Sequence, residues 1–99
     1  MKIAYHEDAV ADIQEAIRYY SEISWRLVGH FESEFQGFIE KVSENPSYYH
    51  FASGSIYRRA NLSRFPYRII YRVNEETETV LIMVVCHNKR HPAYGMNRN

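Results

Sequence analysis

Apolar side chains recur at three- and four-residue steps through the first half of this chain and at every other position in part of the second. Val10, Ile13, Ile17 and Tyr20 fall on one face of a helix running from Glu7 to about Glu22. Glu7, Asp8 and Asp12 stand early in it, where the positive end of the helix dipole favours anions. Ser24 is placed to cap a second helix, Trp25 to about Glu44, with Val28, Phe31, Phe35, Phe38, Ile39 and Val42 as its buried stripe. Asn45-Pro46 ends that helix, because the residue before proline is pushed out of helical geometry. Lys2 to Tyr5 is a short strand candidate.

Residues 45–55 form an aromatic-rich loop, and three strands are expected after it. Ile56 to Leu62 alternates loosely. Tyr67 to Val73 alternates clearly, with Tyr67, Ile69, Tyr71 and Val73 on one face and Arg68, Ile70 and Arg72 on the other. Thr79 to Cys86 is apolar on both faces, as a central strand is. Asn74 to Glu78 is short enough for a hairpin, and Pro66 suits a strand start. These elements predict one α+β domain over residues 1–99, in the order β-α-α-β-β-β. A two-helix hairpin covers one face of a small, mostly antiparallel sheet. The other face, with Arg68 and Arg72, is expected to be open to solvent or a partner.

The formal net charge is zero, but its distribution is uneven. Residues 1–44 carry four basic and nine acidic side chains, while residues 45–99 carry eight basic and three acidic. No carboxylate lies between Glu44 and Glu75, and five arginines do. That asymmetry predicts either an anionic partner for the second half or mutual neutralisation of the halves within the fold. Cys86 is the single cysteine, set in an apolar run, and reads as a small core residue in a reducing compartment. No apolar run approaches the ~20 residues of a bilayer span, and the first residues lack a secretion signal's apolar segment. The expected location is the cytoplasm.

The string RFPYRIIYRV, the apolar strand after it, the ending H-x-x-R-x-P-x-Y (His87, Arg90, Pro92, Tyr94) and the early A-x-x-D-I-x-E-A-I-x-Y-Y helix (Ala9 to Tyr20) resemble the RelE/ParE toxin superfamily. The likeness extends over essentially the whole chain in the same order. It implies a toxin of a type II toxin–antitoxin pair, with the same β-α-α-β-β-β fold and a concave sheet. It also implies a cognate antitoxin as partner, and one of two targets. ParE-like members bind DNA gyrase without hydrolysis. RelE-like members enter the ribosome and cut mRNA, without a metal or other cofactor.

For the nuclease branch the resemblance puts Arg68 at the arginine of a Y-R-L-V-Y strand motif, Tyr94 at the C-terminal catalytic tyrosine, and Arg90 in the basic segment before it. His87 is a candidate base, since histidine titrates near neutral pH. Arg58, Arg59 and Arg72 are candidate contacts to target or RNA. Arg58 and Arg59 are adjacent on a strand and so point to opposite faces. The zero net charge argues against strong ribosome binding, where phosphate contacts dominate affinity, and the expectation leans to gyrase.

Structural roles compete with these. Arg68 and Arg72 are placed to pair with Glu32 or Glu40, and Tyr67 and Tyr71 to fill the core. His87 is placed to bond backbone at a strand end, and Tyr94 to anchor the tail. His87 and His91 lack the neighbours of a metal site. An open sheet edge and nine Tyr with five Phe predict a homodimer or a toxin–antitoxin hetero-oligomer.

Overall fold

The computed structural model describes residues 1–52 and 55–99; the loop expected over residues 45–55 thus includes Ser53 and Gly54, which lie outside the described residues. The elements are β1 (Lys2–Tyr5), α1 (Glu7–Ser21), α2 (Trp25–Glu44), β2 (Arg58–Asn61), β3 (Tyr67–Asn74) and β4 (Thr79–His87). The expected order holds throughout. The strands form one mixed sheet in the spatial order β1-β4-β3-β2, with β1 parallel to β4 and the other pairs antiparallel. Among the described residues no helix is long and apolar enough to cross a membrane.

Local chemistry explains where the helices begin and end. His6 caps α1, its Nδ1 accepting from Asp8 N at 3.0 Å. Ser24 caps α2, its Oγ accepting from Arg26 N at 3.1 Å. At Asn45 the chain leaves helical geometry ahead of Pro46. The two helices lie on one face of the sheet, and their aromatic residues interlock with it. Phe31 meets Tyr20, Phe65 and Tyr67, while Phe38 meets Tyr49 and Tyr71 at 5.6 and 5.9 Å between centroids. Tyr71 is fully buried, and its hydroxyl donates to Pro46 O at 2.9 Å. Burial pushes its pKa up to about 12. Tyr67 moves the same way, through burial first and then its neighbour Tyr20.

The stripe expected on α1 is displaced by part of a turn. Val10 is exposed, and the buried line runs through Ala9, Asp12, Ala16 and Tyr20, with Ile13 and Ile17 half-buried. Alanines at 9 and 16 bring the helix close to β4, and their small side chains carry little signal in a hydrophobicity pattern.

The other face of the sheet is also covered. A bulge places Met83 opposite no partner, since Ile70 pairs with Val84 and Tyr71 with Ile82. Consecutive Met83 and Val84 therefore both turn away from the helices. They join Ile70 and Cys86 in a second apolar cluster, packed against Tyr57, Leu81 and Tyr94. Residues 88–99 lie over this cluster as a chain of turns. Gly95 comes so close that a Cβ there would sit 2.6 Å from Val84 Cγ2, and its φ of 77° is one that L side chains rarely adopt. The expectation of an open second face is therefore corrected: the tail closes much of it, because bulged β4 offers apolar side chains on both sides.

Glu34 of α2 fastens the turn between β2 and β3. Its carboxylate accepts from Ser63 N, Ser63 Oγ, Arg64 N and Phe65 N at 2.8–3.2 Å. Partial burial pushes this carboxyl up, but the hydrogen bonds outweigh that and hold it below the usual carboxylate value. A lowered pKa in the folded state adds stability above the unfolded pKa, about 4.3, and that contribution is lost as pH falls through the folded value. Glu34→Ala is expected to cost about 1–2 kcal/mol at pH 7. The deficit should shrink at pH 3 in urea unfolding, whereas a deficit equal at both pH values would refute the charge-assisted role.

Candidate functional site

Strand β3 carries Arg68 and Arg72 on the face away from the helices, and β2 adds Arg59 opposite Ile70. The three guanidiniums have different fates. Arg68 is buried at 5% exposure, beneath the start of the tail. It donates to the backbone carbonyls of His87 (3.3 Å), Arg90 (3.4 Å) and His91 (2.9 Å). Arg72 is half-buried with no carboxylate in ion-pair range among the described residues, and Arg59 is exposed, bonded to Asn61 Oδ1 at 3.4 Å. No ion pair joins Arg68 or Arg72 to Glu32 or Glu40 among the described residues. Arg58 turns to the helix side, donating to Tyr49 O at 2.7 Å with its guanidinium 3.9 Å from the Phe51 ring centroid.

Beyond Ile82, β1 no longer covers the edge of β4, and α1 takes its place. Asp12 accepts from Val85 N at 3.0 Å, a hydrogen bond that substitutes for the missing strand. The same carboxylate accepts from Tyr94 Oη at 2.9 Å and from both terminal nitrogens of Arg98 at 2.7 and 3.1 Å. Arg98 also donates to Met83 O at 2.8 Å. Glu15, one turn along α1, pairs with Arg90 at 2.8 Å. The last residue joins in, with Asn99 O 2.9 Å from His6 Nε2. Sequence reasoning missed Asp12 and Arg98 as partners. The available signal was a carboxylate in the stripe between Ala9 and Ala16; nothing in the pattern pointed to Arg98.

The structure brings His87, Arg90 and Tyr94 together in a cleft of about 190 Å³ between α1 and the end of β4, with Glu15, Tyr19 and Tyr67 as further walls. Arg68 lies outside it, under the loop that carries Arg90. Arg68 therefore shares no exposed surface with Arg90 and Tyr94. Arg68 is spent on carbonyls, and Arg90 and Tyr94 face carboxylates of α1. Burial, then the hydrogen bond to Asp12 and its charge, raises the Tyr94 pKa, so near neutral pH the hydroxyl keeps the proton it donates. His87 lies edge-on to Tyr67 at 5.4 Å, and its Nδ1 accepts from Lys89 N at 3.0 Å. Burial raises the Cys86 thiol, as befits a core residue.

Solved structures share this fold, and two illustrate it. One, described as a chromosomal ParDE toxin–antitoxin system from P. aeruginosa, superposes with a TM-score of 0.72 at 14% identity, covering 88% of this chain and 95% of that one. The isolated E. coli RelE toxin superposes with a TM-score of 0.62 at 15% identity, covering 96% and 92%. Two helices packed on a four-stranded mixed sheet, in the order β-α-α-β-β-β, thus match the RelE/ParE-type fold. Residues 3–92 match the family described as ParE toxin of type II toxin–antitoxin system, parDE, and the chain belongs to that family. Comparison with curated proteins finds no match. Membership makes this chain a ParE/RelE-type toxin of a toxin–antitoxin system and implies a cognate antitoxin as partner.

Proposed function

We propose that this toxin arrests growth by binding DNA gyrase rather than by cutting RNA. The observation that supports the reading is the internal engagement of the candidate catalytic groups. Cleavage at a 2′-hydroxyl needs a free base, a free acid and cations facing the phosphate. Here the Arg68 guanidinium serves three carbonyls, Arg90 serves Glu15, and the Tyr94 proton serves Asp12. The neutral formal charge adds to this, since phosphate binding draws on unpaired lysine and arginine.

One observation favours the nuclease reading: His87, Arg90 and Tyr94 line a single cleft. In that case His87 would take the proton and Arg90 the phosphate charge, with Arg58, Arg59 and Arg72 as contacts to RNA. Purified toxin is expected to inhibit plasmid supercoiling by gyrase and to leave mRNA on programmed ribosomes intact. Discrete cuts at the ribosomal A site, with supercoiling unaffected, would reverse the assignment.

A further inference from the structure

The free end of the helical hairpin exposes three large apolar side chains close together in the chain. Tyr19 lies in the last turn of α1, Ile23 in the joint, and Trp25 opens α2, at 57%, 59% and 75% exposure. The joint is tight, with Ile23 N and Ser24 N both donating to Tyr20 O at 3.0 and 2.8 Å, so the three side chains are presented on a rigid support. Below them Tyr20 is locked between Phe31 and Phe65. Exposed apolar side chains grouped on a rigid element mark an interaction site.

The charges around the tip follow the same logic. Arg18 and Arg26 flank it, and neither is ion-paired among the described residues. Arg26 stands in the first turn of α2, which carries no acidic residue, although the helix dipole there disfavours a cation. Two of the four basic residues in the acidic first half of the chain are thus spent on this end, against Glu22 alone at the joint. Tryptophan, tyrosine and arginine are the residue types that dominate binding energy in protein interfaces. The patch also runs on to the cleft, since Tyr19 forms part of its wall.

We infer that Tyr19, Ile23 and Trp25, edged by Arg18 and Arg26, are the surface with which this toxin grips its protein target. The matching site on the target is an apolar socket bordered by carboxylates. The inference rests on the binding reading above, and the experiment separates the two. Trp25→Ala, Ile23→Ser and Arg26→Glu leave urea midpoints near wild type, because the side chains are exposed. In the supercoiling assay, Trp25→Ala raises the half-inhibitory concentration at least about thirtyfold, as expected of a central anchor. Arg26→Glu raises it roughly tenfold at low salt and less at high salt. Variants within about threefold of a wild-type chain that does inhibit gyrase overturn the tip while leaving the gyrase reading in place. If wild type leaves gyrase untouched, that reading falls, and induction in growing cells decides the tip. Arrest lost in Trp25→Ala supports it, and arrest retained overturns it.

Discussion

Asp12→Ala is expected to cost about 3–5 kcal/mol of folding stability, the range for removing one partner of a buried ion pair. The carboxylate side chain is 4% exposed and serves Val85 N, Tyr94 Oη and Arg98 at once. Its loss strands the Arg98 guanidinium, 10% exposed, and uncovers the edge of β4 where β1 has ended. In a chain of 99 residues the melting temperature should fall by on the order of 15 °C or more. Replacing both charges, as in Asp12→Leu with Arg98→Met, is expected to recover only part. It removes the stranded charge, but Val85 N–H and the Tyr94 hydroxyl still lose their acceptor. Urea unfolding measures the loss, and hydrogen exchange at Val85 locates it. A loss below about 1 kcal/mol would mean that the tail is not held through this carboxylate.

Arg68→Met tests the second large effect, expected at about 2–3 kcal/mol from three carbonyls left without a donor in a buried site. The damage should centre on the tail, so limited proteolysis should nick residues 88–99 before the rest of the chain unfolds. Arg68→Lys is not expected to restore the wild type, because an ammonium lacks the planar fork that reaches His87, Arg90 and His91 together. Any loss of growth arrest in these variants then follows from a loosened tail. If Arg68→Met unfolds at the wild-type urea concentration yet abolishes arrest, the guanidinium acts on the target, and the buried role assigned to it is wrong.

The two arginines of β3 show why alternation reads a strand better than it reads a site. Tyr67, Ile69 and Tyr71 against Arg68 and Arg72 assigned the two faces of β3 correctly, since side chains alternate wherever a strand forms. Alternation is silent on what lies over the second face. The same limit applies to Asp12, whose place in a helical stripe was visible and whose partner lay 86 residues away. Val10 was misplaced because small alanines decide how α1 seats, and they weigh little in an apolar pattern. Arg90 and Tyr94 were singled out by the resemblance, and His87 as a candidate base beside them. They do meet in one cleft, although the partners that occupy Arg90 and Tyr94 come from α1.

The chain by itself determined what depends on neighbours within a few residues. Helix and strand identities, the caps at Ser24 and Asn45, the hairpin after Asn74 and the core face of β3 all follow from local periodicity and backbone sterics. The tertiary structure decided what depends on groups far apart in the chain. It set the bulge at Met83, folded residues 88–99 over the second face, and paired Asp12 with Arg98. It also turned Arg68 from an exposed cation into a buried brace. Such outcomes rest on desolvation and on hydrogen-bond partners that exist only once the layers have come together, so no local pattern encodes them.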